Sequence, residues 1–235
     1  MNSDLPALLA AGLLLAGCTA IRPAQMALPP ALEAGTERVT ITGLGGAPHG
    51  EFRIGGERGS FTRSASRLSL FDALYEGESA VAGFALGPKG EVTARCSMRR
   101  RTASVGVLTY ELRPMVYSCS FGGAGQPAQL TLAEARSTSR LEPMKRERAG
   151  EMTFGGVRLV LRSSHELAGS PMRTAAPIGY VFERDGRAVA AVEVNGTEPV
   201  ITLRAGGDGA ERQAVTLASL ALALLWDPRE TGLSD

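Results

Sequence analysis

The chain has 235 residues, 25 Lys and Arg against 24 Asp and Glu, and a net charge of +1, so nothing in its overall charge selects nucleic acid or an acidic partner. A hydrophobic fraction of 44% is ordinary for a globular core, while 5% aromatics leaves no obvious stacking platform for bases or sugars. Lysine occurs only at Lys89 and Lys145, so arginine carries nearly all the positive charge.

Residues 5–16 are almost continuously apolar. A run of about a dozen such residues suits the core of a signal peptide and falls short of the roughly 20 needed to cross a bilayer. It ends in Leu15-Ala16-Gly17-Cys18, which resembles the lipobox of bacterial lipoproteins, although Met1-Asn2-Ser3-Asp4 departs from that pattern in lacking Lys or Arg. The resemblance implies that residues 1–17 are a signal peptide. It also implies that Cys18 takes a diacylglyceryl group on sulfur and an acyl chain such as palmitate on its amine. More than one acyl chain gives stable anchoring. Thr19 stands where lipoproteins retained in the inner membrane carry Asp, which implies an outer-membrane anchor facing the periplasm. The alternative is an apolar N-terminal helix with a buried Cys18.

Residues 18–36 are rich in Ala and Pro and read as an extended tether after the lipidated cysteine. From about residue 37 the pattern becomes one of short strands broken by glycine-bearing turns. Strand-like runs fall at 38–42, 52–54, 59–63, 67–71, 80–86, 91–98, 105–112, 115–121, 129–132, 152–154, 157–162 and 200–203. The clearest hairpin spans 178–194 around Asp185-Gly186, a pair suited to the positive φ values of a type I′ turn. A second is expected across Gly87-Pro88-Lys89-Gly90. So many short strands favour a mainly β domain, an antiparallel barrel or sandwich, over alternating α/β. Gly55-Gly56 and 83–91 are echoed by Gly155-Gly156 and 179–187. A duplication would divide the domain near 141–150, a charged stretch that reads as a connector or short helix.

Asp208-Gly209-Ala210-Glu211 has the form of a helix capping box, and residues 214–226 are rich in Ala and Leu until Pro228 stops them. This hydrophobic helix, about 208–226, is apolar almost all round, which predicts burial on most sides. A β-rich domain, with 179–187 followed by this helix and Trp226-Asp227-Pro228, resembles the tubby C-terminal and LURP-one-related fold. The resemblance covers about the last sixty residues and implies a closed antiparallel barrel around the helix. Some members of that superfamily bind phospholipid headgroups, but no headgroup motif maps onto this chain. The domain expectation is therefore a single β-rich unit over 37–235 with one buried C-terminal helix.

Candidate site residues are few. Cys96 and Cys119 lie in strand-like runs and, with Cys18 lipidated, make an even count that an oxidising compartment permits to bridge; two buried thiols are the alternative. Arg99-Arg100-Arg101, with Arg95 nearby, is the sharpest basic cluster. It reads either as a contact for anionic headgroups or lipopolysaccharide phosphates, or as a solvated edge. His49 and His165 show no zinc spacing and read as surface or structural residues. The sequence has no Gly-x-Ser-x-Gly elbow and no phosphate-binding Gly-x-x-x-x-Gly-Lys loop.

These readings predict no metal, cofactor or nucleic-acid partner. They favour a non-enzymatic, periplasm-facing lipoprotein, a binding or envelope-assembly module whose partner is an envelope protein or lipid. A lipid-handling barrel comes second and an envelope hydrolase third.

Overall fold

The computed structural model describes residues 24–70, 74–105, 108–135 and 146–230. Cys18, the apolar leader and residues 141–145 of the expected connector lie outside the described residues. Twelve antiparallel strands form a closed barrel in sequential order, with the first strand paired to the last. They are β1 (Thr36–Thr42), β2 (His49–Ile54), β3 (Glu57–Leu70), β4 (Tyr75–Leu86), β5 (Val92–Val105), β6 (Leu108–Gly122), β7 (Ala128–Glu134), β8 (Arg148–Phe154), β9 (Val157–Ser164), β10 (Gly179–Arg184), β11 (Arg187–Glu193) and β12 (Val200–Arg204). Closure, with β1 paired to β12, decides for a barrel over a sandwich.

Local chemistry fixes the turns. Asp185 and Gly186 adopt φ of 52° and 76°, and they join β10 to β11 as the Asp-Gly pair predicts. The hairpin across residues 87–91 pairs Leu86 with Val92. The expected runs 59–63 and 67–71 are parts of one strand, β3, with Phe71 outside the described residues. The expected run 105–112 is corrected more sharply: it joins the end of β5 to the start of β6, and 115–121 continues β6. Gly55-Gly56 and Gly155-Gly156 occupy the β2–β3 and β8–β9 turns, six strands apart around the ring. A division into two six-strand halves would fall between β6 and β7, not at 141–150, whose last three residues already belong to β8.

The interior of the barrel is filled by α1 (Gly209–Ala223). Asp208 caps it by accepting from the Glu211 amide at 2.7 Å, while the Glu211 carboxylate turns to Arg184. Ala214, Val215, Ala218, Leu220 and Ala221 are all 0% exposed, facing inward strand residues such as Leu130, Leu132, Leu159 and Leu161. The Tyr117 hydroxyl donates to the Ala221 carbonyl at 2.7 Å, satisfying one of the carbonyls a helix end leaves free.

The described part of the expected tether is tied to the outside of the barrel. Met26 and Leu32 are buried with Ile178 and Ala191, the Ala27 amide donates to Glu166 O, and the Ala168 amide donates to Gln25 O. Gly179 makes the room: a Cβ there would lie 2.4 Å from Met26 Sδ.

Candidate functional site

The C-terminal end of α1 delivers the segment after it to one end of the barrel, where it meets Arg100 of β5 and Arg148 of β8. Trp226, Asp227, Pro228, Arg229 and Glu230 lie across that mouth. Asp227 is 1% exposed and is the focus of the charges there. Its Oδ1 accepts from Arg100 Nη1 at 3.0 Å and from the Arg229 amide at 3.0 Å. Its Oδ2 accepts from Arg100 Nη2 at 3.1 Å and from Arg148 Nη2 at 2.6 Å. Four donors use the whole acceptor capacity of a carboxylate. Arg100 also donates to Glu78 at 3.0 Å and Glu134 at 3.2 Å, and Arg148 to Tyr180 at 3.1 Å and Glu230 at 2.7 Å. The segment after the helix is thereby bolted to β4, β5, β7, β8 and β10.

Burial by itself would raise the Asp227 pKa, but hydrogen bonds and charge from Arg100, then charge from Arg148, hold it below the ordinary 3.8. Burial likewise works against the charged form of Arg100 and Arg148. Asp227, then Glu78 and Glu134, reverse the effect for Arg100, and Tyr180, Glu230 and Asp227 do so for Arg148. Burial pushes the Tyr117 and Tyr180 hydroxyls up. Because the native Asp227 pKa lies below its unfolded value, its ionised form adds stability that is complete above about pH 4 and drains away as pH falls through the native value. The denaturation midpoint should therefore hold from pH 7 to pH 5 and drop below pH 4. Asp227→Asn should be less stable throughout but lose less over that acid range; an equal acid loss would show that other groups drive it.

On the other side of the mouth, Arg63 donates to the carbonyls of Ala47, Leu44 and Gly45. Its guanidinium carbon sits 4.4 Å from the Trp226 ring centroid and 5.3 Å from that of Phe61. Burial lowers its pKa. Two clefts, of about 430 and 410 Å³, flank Leu225 here; Arg63 and Trp226 line the first, and Arg148 and Tyr180 the second. Chemically, this end of the barrel is a set of charges that hold one another.

The predicted residues are distributed by the period of two. β5 alternates outward and inward, so Arg95, Arg99 and Arg101 are exposed while Arg100 is 1% exposed. The expectation that Arg100 contacts an anionic ligand is corrected, because all three of its nitrogens are engaged with Glu78, Glu134 and Asp227. The cluster also lies within a strand rather than after one. Cys96 and Cys119 are direct partners across β5 and β6, point inward, and form a disulfide 23 residues apart. A loop of that size is worth on the order of 3 kcal/mol by chain entropy. His165 is buried, its ring nitrogens 3.0 Å from Ser163 Oγ and 2.9 Å from Thr174 O; His49 is exposed at the start of β2. Among the described residues no group of His, Cys, Asp and Glu is placed to hold a metal ion.

Sequence reasoning missed Asp227, Arg148, Glu78 and Arg63. The only available signal was an acid in Trp-Asp-Pro straight after an apolar helix, where a charge bound for burial needs partners. No family model, curated protein or solved structure matches this chain.

Proposed function

We propose that this chain is a lipid-anchored module of the bacterial envelope, held on a membrane through Cys18 and facing the periplasm. It works by binding at its outer surface rather than by chemistry inside the barrel. The observation that carries the reading is the filled interior: α1 takes the space in which an open barrel holds a ligand, and its inward side chains are spent on that packing. A lipid-handling role with an acyl chain inside the barrel would require α1 to leave.

The start of the described chain supports the anchor. The Asn195 side chain donates to Ala24 O in the β11–β12 connection, at the same barrel end as Trp226 and Asp227. Cys18 precedes Ala24 by six residues, a reach of at most roughly 20 Å. A lipid on Cys18 would therefore bring this end toward the bilayer.

The test is a Cys18→Ser variant expressed in a bacterium that processes lipoproteins. It should lose incorporation of radiolabelled fatty acid and leave the membrane fraction, while the native chain keeps both. Unchanged labelling and fractionation would overturn the anchor.

A further inference from the structure

The outer face of β3 to β6 has a composition unlike the rest of the barrel. Its outward positions carry Arg58, Arg95, Arg99, Arg101 and Arg113, all exposed, and not one Asp or Glu. The four carboxylates of these strands keep out of the arginines' register rows: Glu78 is buried beside Arg100, Glu57 is the partner of buried Ile54, and half-buried Glu76 and exposed Glu111 are both partners of inward-facing Thr102. Among the described residues none of the five arginines makes an ion pair. Arg101 even stands directly opposite Arg113. Like charges in that position repel, and among the described residues no carboxylate pairs with either.

Beyond this row the face becomes apolar. β3 extends past the end of β2, and β6 past the end of β7, so the upper halves of β3 to β6 project as a four-stranded flap. Leu70, Tyr75, Ala103 and Tyr110 form one cross-strand row near its tip, with Val105 beyond them and Leu112 in a register shift. Leu70 is 41%, Val105 68%, Tyr110 54% and Leu112 60% exposed. Two residues along a strand separate the tyrosine row from the Arg101–Arg113 row, about 7 Å. Aliphatic tip, tyrosines, then arginines is the order in which a bilayer changes from hydrocarbon to phosphate. The Cys96–Cys119 bridge keeps β5 and β6 in register below it.

We infer that this face docks on an anionic phospholipid leaflet, with the aliphatic tip in the hydrocarbon boundary and Arg101 and Arg113 on lipid phosphates. Charge complementarity selects the occupant. Position supports it, since the flap tip and Ala24 lie at the same barrel end. That orientation rests on the proposed anchor, whereas the charge and exposure of the face do not. Docking through the flap would give the barrel a fixed attitude on the membrane.

The test uses the full chain with Cys18→Ser, so that no anchor contributes, and co-sedimentation with vesicles of phosphatidylglycerol and phosphatidylcholine. Binding should require phosphatidylglycerol and weaken with salt. Arg101→Gln with Arg113→Gln should weaken it roughly thirtyfold, about fivefold per charge. Leu70→Ser with Tyr110→Ser should weaken it as well, while Arg53→Gln on the outer face of β2 should leave it within about twofold. Matched thermal melts establish that the exposed substitutions leave the barrel folded. An environment-sensitive dye on the Val105→Cys variant should shift to the blue on binding. Absence of binding to phosphatidylglycerol, or binding indifferent to the arginine pair, overturns the inference. Fatty-acid labelling of the native chain is scored separately, so failure of either reading leaves the other standing.

Discussion

Replacing Arg100 by Met is expected to destabilise the protein by about 3–5 kcal/mol, read as a fall in the urea midpoint at unchanged slope. Arg100 grips both oxygens of Asp227 and also binds Glu78 and Glu134, and its side chain is 0% exposed. Without it, Asp227 keeps only Arg148 and the Arg229 amide, and Glu78 keeps Arg67 and Arg229 at the edge of the network. A buried carboxylate stripped of its main partner carries its desolvation penalty uncompensated, which is why removing one member hurts more than the pair ever gained. Arg100→Lys is expected to recover little, because an ammonium cannot span the two carboxylate oxygens. Adding Asp227→Leu to Arg100→Met should restore part of the loss. Trp226, the only tryptophan, lies one residue from Asp227 and will report release of the C-terminal segment as a change in emission. A loss below about 1 kcal/mol would mean that the charges at the mouth do not hold it shut.

The second large effect is expected inside the barrel. Leu220→Ala should lose about 2–5 kcal/mol, toward the upper end, because the wall around it cannot collapse into the space left behind. Every strand of that wall is hydrogen-bonded on both sides, β1 to β12 included, so closing a cavity would mean breaking ladder bonds. Leu220 is 0% exposed, and its carbonyl accepts from the Leu224 amide at the helix end. Gln213, on the exposed start of the same helix, is the control, and its change to Ala should be close to neutral. If both substitutions cost the same small amount, α1 would not be the core.

What short-range chemistry governs was readable along the chain. Asp208 caps α1, Asp185-Gly186 turns β10 into β11, and the Ala-Leu run makes a helix apolar enough to require enclosure. The runs that alternate cleanly, 80–86 and 91–98, lie in β4 and β5 because their inward residues face α1. The alternation fails in the upper halves of β3, β4 and β5. There the inward positions are Arg67, Glu78, Arg100 and Thr102, which face the charged segment at the mouth instead of a hydrocarbon core. With polar residues on both faces the period of two disappears from the hydropathy, so β3 looked like two strands and the β5–β6 junction like one.

The arginine triplet shows the same limit at single-residue scale. Arg99, Arg100 and Arg101 are chemically identical, and only the pleat of a strand sends the middle one to Asp227, 127 positions away, and its neighbours outward. Local propensity and turn geometry are set within a few residues, so the sequence alone specified the β-rich class, the hairpins and the capped apolar helix. The pairing of β1 with β12, the docking of Met26 and Leu32, the bolt at Asp227 and the acid-free outer face each depend on residues far apart in the chain. They became visible only once the tertiary structure had paired the strands and assigned every side chain a face.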